Sequence, residues 1–292
     1  MTFGFLNVFK PAGMTAHDVV ARIRELVGIK QVGHGGTLDP LAEGVLPVAL
    51  GKACRLLRFL PGTKVYLAEI LLGRATTTDD IEGEVLWEND KIPGIEEIRR
   101  AIASFVGVSQ QTPPLYSAIH HQGQRLYALA RAGKSPVDIK ARTVTIDQLS
   151  ILEVILPVVQ VRIACSAGTY IRAIARDLGK SLGCGGCLKS LLREQAGPFR
   201  LSDALRLEEL AKMAAEKNLT AALISPAQAL GLHCLNLDKA EARRLSMGQS
   251  LALDSEHCDD LLLVTCEGVF VALCRQTETA ELKPEVVFTH GD

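Results

Sequence analysis

Gly33-His34-Gly35-Gly36-Thr37-Leu38-Asp39-Pro40-Leu41-Ala42-Glu43-Gly44-Val45-Leu46-Pro47 is the stretch around which this 292-residue chain is read. Asp39 precedes a proline, which steers it out of helical geometry. The surrounding glycines permit backbone angles closed to other residues and let a large ligand approach. Residues 31–44 are glycine-rich with few apolar positions, which predicts a loop. It lies between two strongly apolar segments, so the loop is held on a rigid scaffold, where function concentrates. A carboxylate displayed in this way suits a nucleophile or a general base. The same residues also make an ordinary Asp-Pro turn, and residue chemistry alone leaves both readings open.

Outward from the loop, residues 4–9 predict a short strand ended by Lys10-Pro11-Ala12-Gly13. Thr15 caps a helix, with Asp18 three residues later and Val19, Val20, Ile23, Leu26 and Val27 on one face. Residues 64–73 predict a strand and 95–106 a helix. Residues 108–142 are polar and turn-rich, a long connection of the kind that is functional or disordered. Residues 143–155 and 157–165 predict paired strands, with Val159, Val161, Ile163 and Cys165 on one side. Residues 169–182 predict a helix facing in through Ile171, Ile174, Ala175, Leu178 and Leu182, and another helix covers about 204–216. After residue 232 come a short helix near 238–247 and strands at 261–266 and 269–274 with Gly268 in the turn, a small β-rich unit. Strands and helices mix without regular βαβ alternation, so the class is α+β, divided into 1–232 and 233–292.

Apolar residues make up 48% of the chain and charged residues 22%, an ordinary globular balance. Aromatics are only 4%, so aliphatic side chains must fill the core. The formal net charge of -1 counts against a nucleic-acid binder, unless the charge is segregated into a basic face around a cleft with acidic residues behind. No export signal and no run of about 18 apolar residues is visible, which predicts a cytoplasmic protein with reduced, mostly buried thiols.

The quoted loop matches every fixed position of the GHxGxLDPxAxGxLP signature of the TruB-type tRNA pseudouridine synthases, and the chain resembles that family elsewhere too. The segment Asn7-Val8-Phe9-Lys10-Pro11-Ala12-Gly13-Met14-Thr15 is similar to its opening Lys-Pro-x-Gly segment. GRATTTDDIEG, residues 73–83, resembles its glycine-threonine-aspartate segment. Gln111-Thr112-Pro113-Pro114-Leu115-Tyr116-Ser117-Ala118, followed by Gly123, Leu126, Tyr127, Ala130 and Arg131, looks like its RNA-gripping insertion. Gly168-Thr169-Tyr170-Ile171-Arg172 resembles its arginine motif. The family's Leu-Arg-Arg is here Leu191-Leu192-Arg193, one cation short, and the tail from about 233 is loosely similar to a PUA-like RNA-binding domain.

The resemblance implies a pseudouridine synthase fold, a central mixed or antiparallel sheet flanked by helices. It implies that a uridine at position 55, in the T-arm loop of tRNA, is converted to pseudouridine by a monomer with no cofactor, no metal and no obligate protein partner. Asp39 would be the nucleophile, Arg172 its cationic partner and Tyr66 the active-site tyrosine. His34, Lys10, Tyr170, Arg125, Arg131 and Arg193 would bind substrate, His34 by filling the space that a flipped base leaves. Lys134, Lys140, Arg125, Arg131 and Arg142, interleaved with Tyr116 and Tyr127, suit contact with RNA backbone and bases.

Other readings have less behind them. Cys184-Gly185-Gly186-Cys187 is a CxxC, but no second pair stands at metal spacing. Gly51-Lys52 lacks the glycine spacing and the Ser or Thr of a phosphate loop. A non-catalytic RNA-binding or RNA-folding module would have no use for Asp39. A guide-RNA-dependent relative would not need the insertion at 108–142.

Overall fold

The computed structural model describes residues 3–117, 119–121, 123–132, 134, 139–252, 260–277 and 281–288. In chain order the first half runs β1 (Gly4–Lys10), α1 (Ala16–Val27), β2 (Val32–His34), β3 (Glu43–Leu50), β4 (Lys64–Leu72), β5 (Arg74–Thr76), β6 (Val85–Glu88), α2 (Ile95–Ala103) and β7 (Gly107–Gln111). There follow β8 (His120–His121), β9 (Gln124–Arg125), α3 (Leu126–Arg131), β10 (Arg142–Ile155), β11 (Val158–Cys165), α4 (Ile171–Ser181), β12 (Gly186–Ala196) and β13 (Phe199–Arg200). The chain ends with α5 (Leu207–Ala215), α6 (Pro226–Leu230), β14 (Cys234–Asn236), α7 (Lys239–Ser246), β15 (Leu251–Ala252), β16 (Leu261–Cys266), β17 (Val269–Gln276) and β18 (Glu281–Val287).

The main sheet has nine strands in the order β1-β3-β12-β4-β11-β10-β7, with β2 beside β3 and β13 beside β12. It is a mixed sheet, because β12 runs parallel to β3 at Leu192–Glu43 and Arg193–Gly44 while the other pairs are antiparallel. One face is covered by α2 and α4. Ile98, Ile102, Ile171, Ile174 and Leu178 pack there on Ala68, Ile70, Val159, Val161 and Ile163. The alternation read over 159–165 is borne out, since all four inward residues are fully buried. At the β1–β3 end, α1 packs Val19, Val20 and Ile23 on Leu6, Val8, Leu46 and Val48. Its start is a capping box between Thr15 and Asp18, and Gly28 closes it in the left-handed conformation.

Two features place the site. Residues 35–42 connect β2 to β3, so the expected loop is shorter than 31–44: its first residues pair with β3 and its last begin that strand. Pro47, with no N–H to give, faces the gap on β3 between β12 and β2, and its carbonyl accepts from Gly35. The long connection is also shorter than it looks in sequence. Gln111 of β7 pairs with Arg142 of β10, so residues 112–141 are an excursion between two neighbouring strands.

The second sheet, β14-β16-β17-β18-β15, is formed by residues 234–287 and has its own core with α7. Leu263, Leu273, Val286 and Phe288 also share a core with Phe5, Val45, Leu56, Phe199 and Leu230, so continuous apolar packing joins the two sheets. Among the described residues no helix is long and apolar enough to cross a membrane, and no cluster of three or more His, Cys, Asp or Glu stands ready for a metal ion.

Candidate active site

Asp39 sits near the middle of the β2–β3 loop, its side chain 39% exposed. Its Oδ2 accepts from Arg172 Nε at 2.9 Å, and among the described residues Oδ1 has no hydrogen-bond partner. Arg172 is 4% exposed, one residue into α4. A cation there opposes the helix dipole, so it needs other anionic and carbonyl partners. It has them: Nη1 donates to Thr78 O at 2.8 Å and lies 3.6 Å from Asp80 Oδ2, and Nη2 donates to Tyr116 O at 2.9 Å. One guanidinium thus ties the loop, the 73–83 segment and the insertion to a single helix.

The helix is itself fixed closely to the sheet. A Cβ on Gly179 would stand 2.0 Å from Gly186 N, so α4 can approach β12 only with glycine there. The CxxC glycines therefore serve packing, and burial pushes the Cys187 thiol up to about 11 and raises the Cys184 thiol, away from thiolate chemistry. Gln111 bonds both backbone groups of Tyr170, with Tyr170 N donating to Oε1 at 2.8 Å and Nε2 donating to Tyr170 O at 3.1 Å. Tyr170, half-buried, lies under the Arg142 guanidinium at 5.5 Å.

Tyr66 projects from β4 beside Arg193 of β12 and is 6% exposed. Burial raises its phenol above the usual range, opposed by the positive charge of Arg193 and assisted by the charge of Asp39. At neutral pH it is therefore a phenol, able to stack and to relay a proton but not to act as a phenolate base. His34, on β2, is half-buried with Nδ1 buried and unpartnered among the described residues. Burial and Arg193 lower its pKa, so it is neutral at pH 7.

Lys10 and Arg193 are not where substrate-binding cations would stand. Both are fully buried. Arg193 donates through Nε to Val45 O at 2.7 Å, and through its Nη atoms to Gly36 O at 3.2 Å and Thr37 O at 3.5 Å. Lys10 Nζ donates to Pro11 O, Met14 O and Pro40 O. Between them they hold three carbonyls of the loop, those of Gly36, Thr37 and Pro40, which strand pairing leaves unsatisfied. The side chains of Arg125 and Arg131 lie outside the described residues.

Two predictions follow from these loop anchors. Gly44, at φ +105°, would put a Cβ 2.3 Å from Arg193 O, so Gly44→Ala costs about 3 kcal/mol or more in urea unfolding. Unchanged stability would mean that the β3–β12 contact is looser than described. Lys10 is brought from 10.5 to about 8, chiefly by burial. Between those values the unfolded chain holds a proton that the folded chain lacks, so stability rises with pH there. The advantage of wild type over Lys10→Met should grow from pH 8 to 10.5. A constant difference would show an ordinary lysine.

Sequence reading missed Asp80, Asp79, Arg176 and Gln111 as members of this network. Arg176 Nη1 bonds Asp79 Oδ2 at 2.9 Å and Nη2 bonds Thr112 O at 2.8 Å, a second clamp one turn beyond Arg172. Asp79 holds φ +63°, and burial raises its carboxyl. Nothing local marked them, since Arg172 and Arg176, four apart, lie off the apolar stripe of Ile171, Ile174, Ala175 and Leu178 on α4.

A half-open carboxylate is here oriented by a buried arginine, an arrangement suited to nucleophilic or general-base chemistry. The chain belongs to the TruB family of pseudouridylate synthases, whose N-terminal domain model matches residues 24–171, with the tRNA pseudouridylate synthase B C-terminal domain model matching 172–230. It is 46% identical to the tRNA pseudouridine synthase B of Gloeobacter violaceus over 92% of this chain and 90% of that one. It is 40% identical to that of Trichormus variabilis over 98% of each. Among solved structures, a chain of a Cbf5-Nop10-Gar1 complex superposes with TM-score 0.74 at 26% identity, covering 98% of this chain and 85% of that one. A chain of an H/ACA RNP bound to a substrate RNA containing 2'-deoxyuridine gives 0.73 at 25%, with the same coverage.

Proposed function

We propose that this protein isomerises the uridine at position 55, in the T-arm loop of tRNA, to pseudouridine, with Asp39 as nucleophile. The observation that carries the reading is the pairing of Asp39: Oδ2 is fixed by Arg172, and among the described residues Oδ1 has no hydrogen-bond partner. A carboxylate needs no base to become nucleophilic at neutral pH. The reaction breaks the N1–C1′ bond, forms C5–C1′, releases the C5 proton and returns a proton to N1, so no electrons are exchanged and no cofactor is needed. Tyr66, whose phenol feels the charge of Asp39, stacks on the base and relays the C5 proton. The target is flipped out of its loop to reach Asp39, at a cost of a few kcal/mol. His34 fills the space the base leaves, Tyr170 packs beneath the nucleotide, and Arg125 and Arg131 grip the arm.

Residues 1–232 act as the catalytic part and 233–292 as a small PUA-like RNA-binding domain. The protein works as a cytoplasmic monomer without an obligate partner or guide. The higher identity to the tRNA synthases, 40–46% against 25–26% for the ribonucleoprotein chains, supports the stand-alone reading. The test is product mapping on an unmodified tRNA transcript, by derivatisation and primer extension. Pseudouridine at the T-loop uridine, and none when that uridine is replaced by cytidine, is expected. Tight binding without product would leave a tRNA-binding module.

A further inference from the structure

We propose that Lys64 binds one of the two phosphodiesters that bracket the flipped uridine; this rests on the reading of the site as a pseudouridine synthase centre. Lys64 opens β4 and, two residues from Tyr66, shares its face of the sheet. That face carries Arg193, opposite Tyr66 in the register. A Cβ on Gly36 of the catalytic loop would lie 3.4 Å from Lys64 Cε and 3.9 Å from Nζ, so the ammonium stands against the loop that carries Asp39.

The other cations near the loop are committed. Arg172 is bound to Asp39, Asp80 and two carbonyls, Arg193 to the carbonyls of Gly36, Thr37 and Val45, and Lys10 to those of Pro11, Met14 and Pro40. Lys64 has one long bond, 3.4 Å, to Gly62 O in its own turn, and among the described residues no carboxylate is within ion-pair distance. An ammonium has three donors, so most of its capacity is unspent. Its surroundings also penalise its charge: burial and Arg193 both lower its pKa. A half-buried cation beside a second cation, without a counter-ion, is electrostatically unfavourable until an anion arrives. The substrate's only anionic groups are its phosphodiesters, and a nucleotide seated on Asp39 brings its own flanking pair to this wall. Phosphate contacts fix register without reading sequence, the property needed to place one nucleotide over one carboxylate.

The experiment uses a T-arm stem-loop RNA in three forms: unmodified, and with one uncharged methylphosphonate immediately 5′ or 3′ of the target uridine. Single-turnover k/K is measured for wild type, Lys64→Met and Lys64→Arg. Wild type should lose about 10- to 100-fold on one neutral RNA. Lys64→Met should lose as much on unmodified RNA and nothing further on that same neutral RNA, and Lys64→Arg should recover most of the loss. The salt slope of binding should fall by about 0.7 in Lys64→Met. Losses that multiply, a wild type indifferent to both neutral linkages, or Lys64→Arg no better than Lys64→Met would overturn the inference. Failure of wild type to make pseudouridine from unmodified RNA would instead overturn the functional reading on which it rests.

Discussion

Asp39→Asn abolishes pseudouridine formation, with a single-turnover rate lowered by about 10⁴-fold or more, while tRNA affinity stays within about threefold. The amide has the shape of the carboxylate but no nucleophilic oxygen. Its Oδ1 can still accept from Arg172 Nε, and Arg172 keeps Asp80, Thr78 O and Tyr116 O. The side chain is 39% exposed, so the fold loses little. Stopped chemistry with intact binding separates a nucleophile from a residue of the RNA-binding surface. A variant with residual activity within tenfold of wild type would show that Asp39 is not the attacking group.

The second large effect falls on stability and activity together. Arg172→Met leaves Asp80, 5% exposed, without its cation and strands the carbonyls of Thr78 and Tyr116. Removing one member of a buried ion pair costs about 3–5 kcal/mol, which is visible as a lower urea midpoint. Arg172→Lys keeps the charge but not the planar fork that reaches Asp39, Thr78 and Tyr116 at once, so it recovers part of the stability and little of the rate. If Arg172→Met unfolds at the wild-type midpoint, the 73–83 segment and the insertion are held by something else.

Much of the fold could be read from local pattern. The capping box of Thr15 and Asp18, the alternation from Val159 to Cys165 and the Gly268 turn are short-range signals, and each lies where it was expected. β12 was missed for a definite reason. Its register shifts between Leu188 and Ser190 and again between Arg193 and Gln195, which breaks the period of two on which strand reading depends. Leu188, Leu191 and Leu192 then fall at helical spacing. Arg193 was misjudged with it, because a fully buried arginine in a central strand goes against the ordinary distribution of charge. The loop displaying Asp39 was plain from its glycines, and the resemblance supplied Arg172 as partner. Asp80, Asp79 and Arg176 were not legible, since their meaning comes from α4, the 73–83 segment and the insertion meeting in space, contacts of long sequence separation.

Attack by Asp39 on a tRNA uridine makes C5 of that uridine the glycosidic carbon, and the hydrogen on C5 is lost. The most direct measurement is release of tritium from a tRNA transcript carrying [5-³H]uridine, in single turnover with wild type and Asp39→Asn. Wild type should release one tritium per tRNA, lost on replacing the T-loop uridine by cytidine, and Asp39→Asn should release none. Release that persists in Asp39→Asn, or tight binding by wild type with no release, would contradict attack by Asp39.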